Sequence, residues 1–353
     1  MSNSAMRIAF LGTAGIPNRY GGFESFLEHC APVIAGNGHQ VTVTCDARLY
    51  PDREPDFRSV HRLFIDTPAN GGWSIIHDLI AFVRTFSRST HLVLLGVSGG
   101  LWFPLFRLLC ALAGKRLIVN IDGIEWRRSK FGPAKRALLW LLDTLAQTFA
   151  HVVIYDSEGL RKYLRPAAAS KSCCIAYPGD HVLRLPGSRP VAGSALTICR
   201  IEPENNLELM ITGFLGSSLS SYTIIGNWSH SAYARALRAR FSDEPRLHLL
   251  DPIYDATTLA EHREGCAIYL HGHSVGGTNP SLVEMLFYDC DILCLDVTFN
   301  RHTAGDCAQY FADKQSLTIL LDGPQPTRLA RDALRTRYSA DGIAASYIAA
   351  LRG

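Results

Sequence analysis

Twice along this chain, short aliphatic and β-branched runs alternate with amphipathic helical stretches, and that rhythm restricts the fold more than any single motif. RIAFLG, QVTVTC, HLVLLG, RLIVN and HVVIY are strand candidates in the first half. Between the first two, Phe23, Phe26, Leu27, Cys30, Val33 and Ile34 share one face of a helix. Further helices are predicted over Ser74 to Phe86, Leu101 to Ala113 and Pro133 to Phe149. Strands joined through helices must run parallel, with both sheet faces covered. A polar stretch containing Pro and Gly, YPGDHVLRLPGSRPVAG (Tyr177 to Gly193), breaks the rhythm and is the best boundary candidate.

The rhythm then resumes. ALTICR, YTIIG, RLHLL, CAIYLH, DILCLD and LTILLD read as six strands. Helices are predicted over Asn206 to Phe214, Tyr233 to Arg240, Ala256 to Glu264 and Pro280 to Tyr288. The fold class is therefore α/β, with two doubly wound Rossmann-like domains facing a central cleft. Ligands of such sheets bind beyond the carboxyl ends of the strands, so the cleft is the expected site.

A length of 353 residues fits two cores, because one core seldom grows past about 250 to 300 residues. A net charge of +3 makes no case for a nucleic-acid partner. The ten cysteines are scattered without a second pair at metal-ligand spacing, which suggests reduced thiols and no metal. MSNSAMRIAF runs into a strand without the pattern of a secretory signal, so a cytoplasmic location is expected. Leu101 to Ala113 is strongly apolar but too short to span a bilayer; a core helix and a surface helix remain open for it.

Four strand-to-helix junctions carry the chemistry. GTAGIPNRYGGFES lacks the dinucleotide spacing G-x-G-x-x-G, yet Gly21 and Gly22 directly precede a helix, where a ligand can approach the backbone. NIDGIEWRRSK places Asp122 at a strand end, followed by charges that also fit a solvated loop. CRIEPENN places Arg200 at the end of the second domain's first strand. That guanidinium can fork onto phosphate oxygens or pair with Glu202 or Glu204. HGHSVGGTNPSLVE combines Gly276, Gly277, Thr278, Asn279 and Pro280 at a helix start with Glu284 one turn further on. It reads as an anion cradle followed by a carboxylate that can accept from a sugar hydroxyl. His271 and His273 have no third ligand at a supporting spacing, so internally satisfied loop histidines are expected. A Tyr-x3-Lys match at Tyr310 to Lys314 lies far from any glycine fingerprint and reads as chance.

GIPNRYGGFESFLE, NIDGIEWRRSK, YDSEGL, CRIEPENN, IIGNW, HGHSVGGTNPSLVE and FNRHTAGDCAQYF occur in the order found in retaining GT-B glycosyltransferases of family four. The chain most resembles the bacterial polysaccharide branch of rhamnosyltransferases. The resemblance implies an acceptor-binding domain over residues 1–178 and a nucleotide-sugar domain over 179–338. A final helix in 339–353 would cross back to the first domain. It implies donor contacts from Gly21 and Gly22, from Arg200, Asn205 and His273, and from Gly276, Gly277, Thr278, Asn279 and Glu284. Asp122 and Arg200 become the catalytic candidates, and Tyr20, Glu125, Trp126 and Arg127 the acceptor contacts.

Two positions depart from the family pattern: Gly276 replaces the first Glu of E-x7-E, and Asn205 replaces the usual lysine. The implied reaction moves a sugar, L-rhamnose from dTDP-rhamnose, to a lipid-linked oligosaccharide in surface polysaccharide synthesis. It uses no metal or cofactor beyond the nucleotide sugar. A peripheral position on the inner face of the cytoplasmic membrane would suit such an acceptor. The rival classes are a nucleotide-sugar epimerase or dehydrogenase, and an inactive sugar-nucleotide-binding homologue.

Overall fold

The computed structural model describes residues 5–121, 123, 126, 131–275, 277–323 and 331–353. The chain divides into two units, Met1–Pro178 with Ser339–Gly353, and Gly179–Tyr338. The first unit runs β1 (Arg7–Leu11), α1 (Gly22–Gly36), β2 (Gln40–Asp46), β3 (Asp56–Phe57), β4 (Val60–Ile65), α2 (Ser74–Phe86) and β5 (His91–Leu95). It continues through α3 (Phe103–Leu112), β6 (Arg116–Asn120), α4 (Pro133–Phe149), β7 (Val152–Tyr155) and β8 (Ser172–Cys174). Its sheet order is β3-β4-β2-β1-β5-β6-β7-β8, with only the short β3-β4 pair antiparallel. Strands such as β5, with Leu92 to Leu95 all buried, are apolar throughout because helices cover both faces.

The second unit comprises β9 (Val191–Ile198), α5 (Leu207–Leu215), β10 (Ser221–Ile225), α6 (Ala232–Phe241), β11 (Leu247–Leu250), α7 (Ala256–Glu264) and β12 (Cys266–His271). After these come α8 (Pro280–Met285), β13 (Asp291–Leu295), α9 (Thr298–Ala304), β14 (Gln309–Phe311), α10 (Lys314–Asp322) and α11 (Asp332–Arg337). The order is β11-β10-β9-β12-β13-β14, all parallel. The last helix, α12 (Ala340–Arg352), packs on α1 of the first unit. There Tyr347 stacks on Phe26 at 4.7 Å, and its hydroxyl accepts from Asn120 Nδ2 at 2.7 Å.

One expected strand is a helix. LTILLD lies inside α10, which Asp313 and Ser316 open with a reciprocal capping box. Leu317 and Leu321, four apart, are buried while Ile319 between them is 71% exposed, a helical pattern and not a strand's alternation. The sixth strand is the short β14 just before that cap. The helix expected over Pro280 to Tyr288 ends at Met285. All ten cysteines are free thiols, and among the described residues no helix is long and apolar enough to cross a membrane.

Candidate functional site

Each sheet has one point where strand order reverses, and crevices open beyond the carboxyl ends of the strands there. In the second unit that point lies between β9 and β12. The chain leaving β9 carries Cys199, Arg200 and the turn Pro203–Asn205; the chain leaving β12 carries Gly272, His273 and Ser274. The two loops are laced together. Asn205 Nδ2 donates to Arg200 O at 2.7 Å, and its Oδ1 lies 2.9 Å from His273 Nδ1. The amide oxygen can only accept, so His273 Nδ1 carries the proton. Ser274 N and Oγ both donate to Glu204 O at 2.9 Å.

Asn206, held at φ +50, donates from Nδ2 to Gly272 O at 2.8 Å. Gly272 is obligatory, since a Cβ there would collide with the Asn205 carbonyl and the Met210 side chain. Asn300 ties the end of β13 into the same loop, donating to His273 O at 3.0 Å and Leu295 O at 2.9 Å.

Arg200 stands apart from this lacing. It is exposed, and among the described residues its guanidinium has no hydrogen-bond or ion-pair partner. Of the acids that could have claimed it, Glu202 pairs with His230 at 3.1 Å, and the Glu204 carboxylate forms no ion pair with Arg200. The surface salt bridge that position alone allowed is not formed. A free, forked cation at a switch point is suited to an anion.

Asn205 is 4% exposed and serves the loop, fastening Arg200's backbone to His273. Both ends of its amide are engaged within the loop, so a donor contact from this side chain would share those bonds. His271 also differs from the satisfied loop histidine expected. It is the last residue of β12, 3% exposed, with Nε2 lacking any hydrogen-bond partner among the described residues. Burial, and to a lesser degree His273, pushes its pKa down to about 3, so the ring is neutral across physiological pH.

Glu284 is on α8 and already engaged: one oxygen pairs with Arg263 and the other lies 3.4 Å from His181 Nε2. Burial pushes its pKa up, but the His181 hydrogen bond and the Arg263 charge outweigh that and hold it below the ordinary carboxylate value. It is an ionised acceptor with spare lone pairs, not an isolated one. Thr278 is buried, and Asn279 caps α8 by accepting from Ser281 N at 3.0 Å. Asn279 thus takes one of the N–H groups at the start of this six-residue helix, leaving fewer to meet an anion there. Gly276 lies outside the described residues.

In the first unit the reversal falls between β1 and β5, and two buried acids lie near it among the described residues. Glu24, in the first turn of α1, is 4% exposed and accepts from Thr13 Oγ1 and Ala14 N, both at 2.7 Å. Asp78 of α2 is buried; Ser98 Oγ donates to its Oδ2 at 2.6 Å, while Oδ1 has no partner among the described residues and faces Gly12. Burial pushes this carboxyl up to about 7, against hydrogen bonds from Ser98 and the Gly99 N–H that pull it down. The sequence does not single out Asp78, because its partners lie far along the chain.

Gly21 caps α1 without a side-chain hydrogen bond, and Gly22 begins the helix. Tyr20 is 65% exposed, a usable contact surface. Trp126 is anchored: Nε1 donates to Asp143 Oδ2 at 3.1 Å, and its carbonyl accepts from Arg136 Nε at 2.9 Å. Asp122, Glu125 and Arg127 lie outside the described residues.

Residues 6–180 match the family described as a domain of unknown function, DUF1972. No curated protein matches the sequence. Among solved structures, the chain is similar to sucrose-phosphate synthase from Thermosynechococcus elongatus, at 14% identity, TM-score 0.73, and 98% coverage of both chains. It is similar to the catalytic domain of starch synthase IV from Arabidopsis thaliana bound to ADP and acarbose (11% identity, TM-score 0.69, 99% of both chains). A third is the UDP-forming α,α-trehalose-phosphate synthase from Burkholderia xenovorans in complex with glucose-6-phosphate, at 10% identity and TM-score 0.63, covering 98% of this chain and 100% of that one. At such identities the likeness establishes the fold: two doubly wound α/β units of the GT-B type.

Proposed function

We propose that this chain is a retaining glycosyltransferase that binds a nucleotide-diphosphate sugar on its second unit. The observation that carries the reading is Arg200, a guanidinium unpaired among the described residues at the β9/β12 switch point, in a chain of GT-B fold. The solved starch synthase IV domain holds ADP, and the trehalose-phosphate synthase is UDP-forming. A nucleoside diphosphate is the ligand class such a cation suits.

Arg200 would fork onto the diphosphate and stabilise the charge that grows as the sugar leaves. In this class of retaining enzyme the departing phosphate takes the acceptor's proton, so no protein base is required. His271, neutral and buried, is unsuited to act as a cation there. Glu284 would accept from the ribose hydroxyls with the lone pairs that Arg263 and His181 leave open. Asn205 would act indirectly, holding the backbone of Arg200 against the β12 loop.

The donor in this reading is dTDP-rhamnose and the acceptor a lipid-linked oligosaccharide of a surface polysaccharide, received on the first unit near Tyr20 and Trp126. The epimerase or dehydrogenase reading has less support, since the Tyr310 hydroxyl is committed to Gly305 O at 2.6 Å. A thermal-shift panel of nucleotides and nucleotide sugars tests the proposal. A ligand at 100 times its Kd adds about 2.7 kcal/mol of stability. Stabilisation by dTDP compounds alone supports this donor, preference for UDP or GDP compounds replaces it, and stabilisation by NAD alone overturns the transferase reading.

A further inference from the structure

The α3 helix carries two apolar faces. Phe103, Phe106 and Cys110 are fully buried, with Phe106 stacked on Phe82 of α2 at 3.7 Å. On the opposite side, Leu105, Leu108 and Leu112 form one helical stripe at spacings of three and four, with Leu101 in the turn just before the helix. Leu101, Leu105, Leu108 and Leu112 are 49%, 46%, 55% and 79% exposed. A helix at the surface of a globular domain normally turns its apolar stripe inward and a polar face outward. Here the outer face is leucine.

The neighbouring helix extends the patch. α3 packs on α4, and the turn before α3 lies so close to α4 that a Cβ on Gly100 would collide with the Leu142 backbone. On α4, Leu138, Trp140 and Leu141 are exposed. Apolar side chains exposed together on two adjoining helices mark an interaction site more often than a lone exposed residue does.

Charge identifies the occupant. Arg107 stands between Leu105 and Leu108 on α3, which has no Asp or Glu, and α4 carries Lys135 and Arg136 against one acid. Asp143, the acid of α4, is buried behind the patch, whereas Lys135 and Arg136 are exposed beside it. Leucine and tryptophan rimmed by lysine and arginine is the composition of helices that lie in the headgroup region of anionic membranes. We propose that the outer α3–α4 face docks on the surface of an anionic lipid bilayer, without crossing it. The proposal rests on the lipid-linked acceptor reading for its purpose only; the surface itself is argued from exposure and charge.

The test is co-sedimentation of the full chain with vesicles of phosphatidylcholine alone and of phosphatidylcholine mixed with phosphatidylglycerol. The expected result is binding to the mixed vesicles that weakens as salt is added. Combined Leu108→Ser and Leu112→Ser should weaken it by about tenfold or more. Both leucines are exposed, so an unchanged melting temperature accompanies the loss. Lys135→Glu should reduce binding to the mixed vesicles severalfold. Absence of binding to mixed vesicles at low salt overturns the proposal, and so does equal binding by the leucine double variant. Self-association that the double variant abolishes, without vesicle binding, overturns it in favour of a second copy. Nucleotide binding measured on the same proteins distinguishes failure of this face from failure of the transferase reading.

Discussion

The two sheets reverse their strand order in the same way, yet the reversal points carry opposite chemistry. In the first unit the crevice is bounded by buried carboxyls: Glu24, spent on holding the Thr13–Ala14 turn, and Asp78, tied to Ser98. In the second unit the polar side chains of the loops are spent on one another, and among the described residues there the Arg200 cation is left over. The same topology thus sets buried acids beside one crevice and, among the described residues, leaves an unpaired cation at the other. Topology says where ligands can sit, and the unspent charge says which ligand each position takes.

Asp78→Asn should have the largest effect, and on stability. The folded carboxyl is raised from 3.8 to about 7. The fold therefore favours the protonated form, and stability is lost as pH rises from about 4 through about 7. An uncharged isostere avoids that loss: no gain near pH 4, increasing to at most roughly 4 kcal/mol above pH 7 at about 1.4 kcal/mol per unit. Melting curves of both proteins across pH check it, and a constant offset between them would show that burial does not set this group's charge.

Arg200→Ala comes next. Removing a charge-assisted pair costs about 1.5 to 3 kcal/mol of transition-state stabilisation, roughly ten- to more than a hundredfold in turnover. Melting should be unchanged because the side chain is exposed. Near-normal sugar transfer would remove Arg200 from the site. Glu284→Gln should raise the donor KM about tenfold with kcat little altered, since a ribose contact is made equally in ground and transition states. A fall in kcat alone would argue against the ribose role.

Asn205→Lys should have the smallest effect, and it separates this chain from the general family pattern. Restoring the usual lysine breaks the hydrogen bonds to Arg200 O and His273, costing about 1 to 2 kcal/mol of stability. No gain in donor affinity is expected, and a tighter donor complex would show that position 205 faces the diphosphate after all.

Much of the fold was legible because the covering helices impose a period on the sequence. The helices expected over Ser74–Phe86, Pro133–Phe149 and Ala256–Glu264 coincide with α2, α4 and α7. LTILLD misleads because its continuous apolar run hides the capping pair, Asp313 and Ser316, that opens it as a helix. β4 escapes a reading of the pattern because Arg62, buried between the Tyr50 and Phe64 rings at 4.8 Å from each, looks like a break in an apolar run. At the candidate site, Arg200's position could be read but its isolation could not. Whether Glu202 or His230 wins a partner is decided across 28 residues of sequence, and Asp78 meets Ser98 across 20.

The most direct test of the contrast between the two crevices is calorimetric titration of dTDP, UDP and GDP into the wild-type chain, Arg200→Ala and Asp78→Asn at one pH and salt concentration. The account predicts that one of these nucleotides binds the wild type and Asp78→Asn with equal affinity, and Arg200→Ala about tenfold or more weakly. Equal binding by Arg200→Ala, or binding lost in Asp78→Asn and kept in Arg200→Ala, would contradict it.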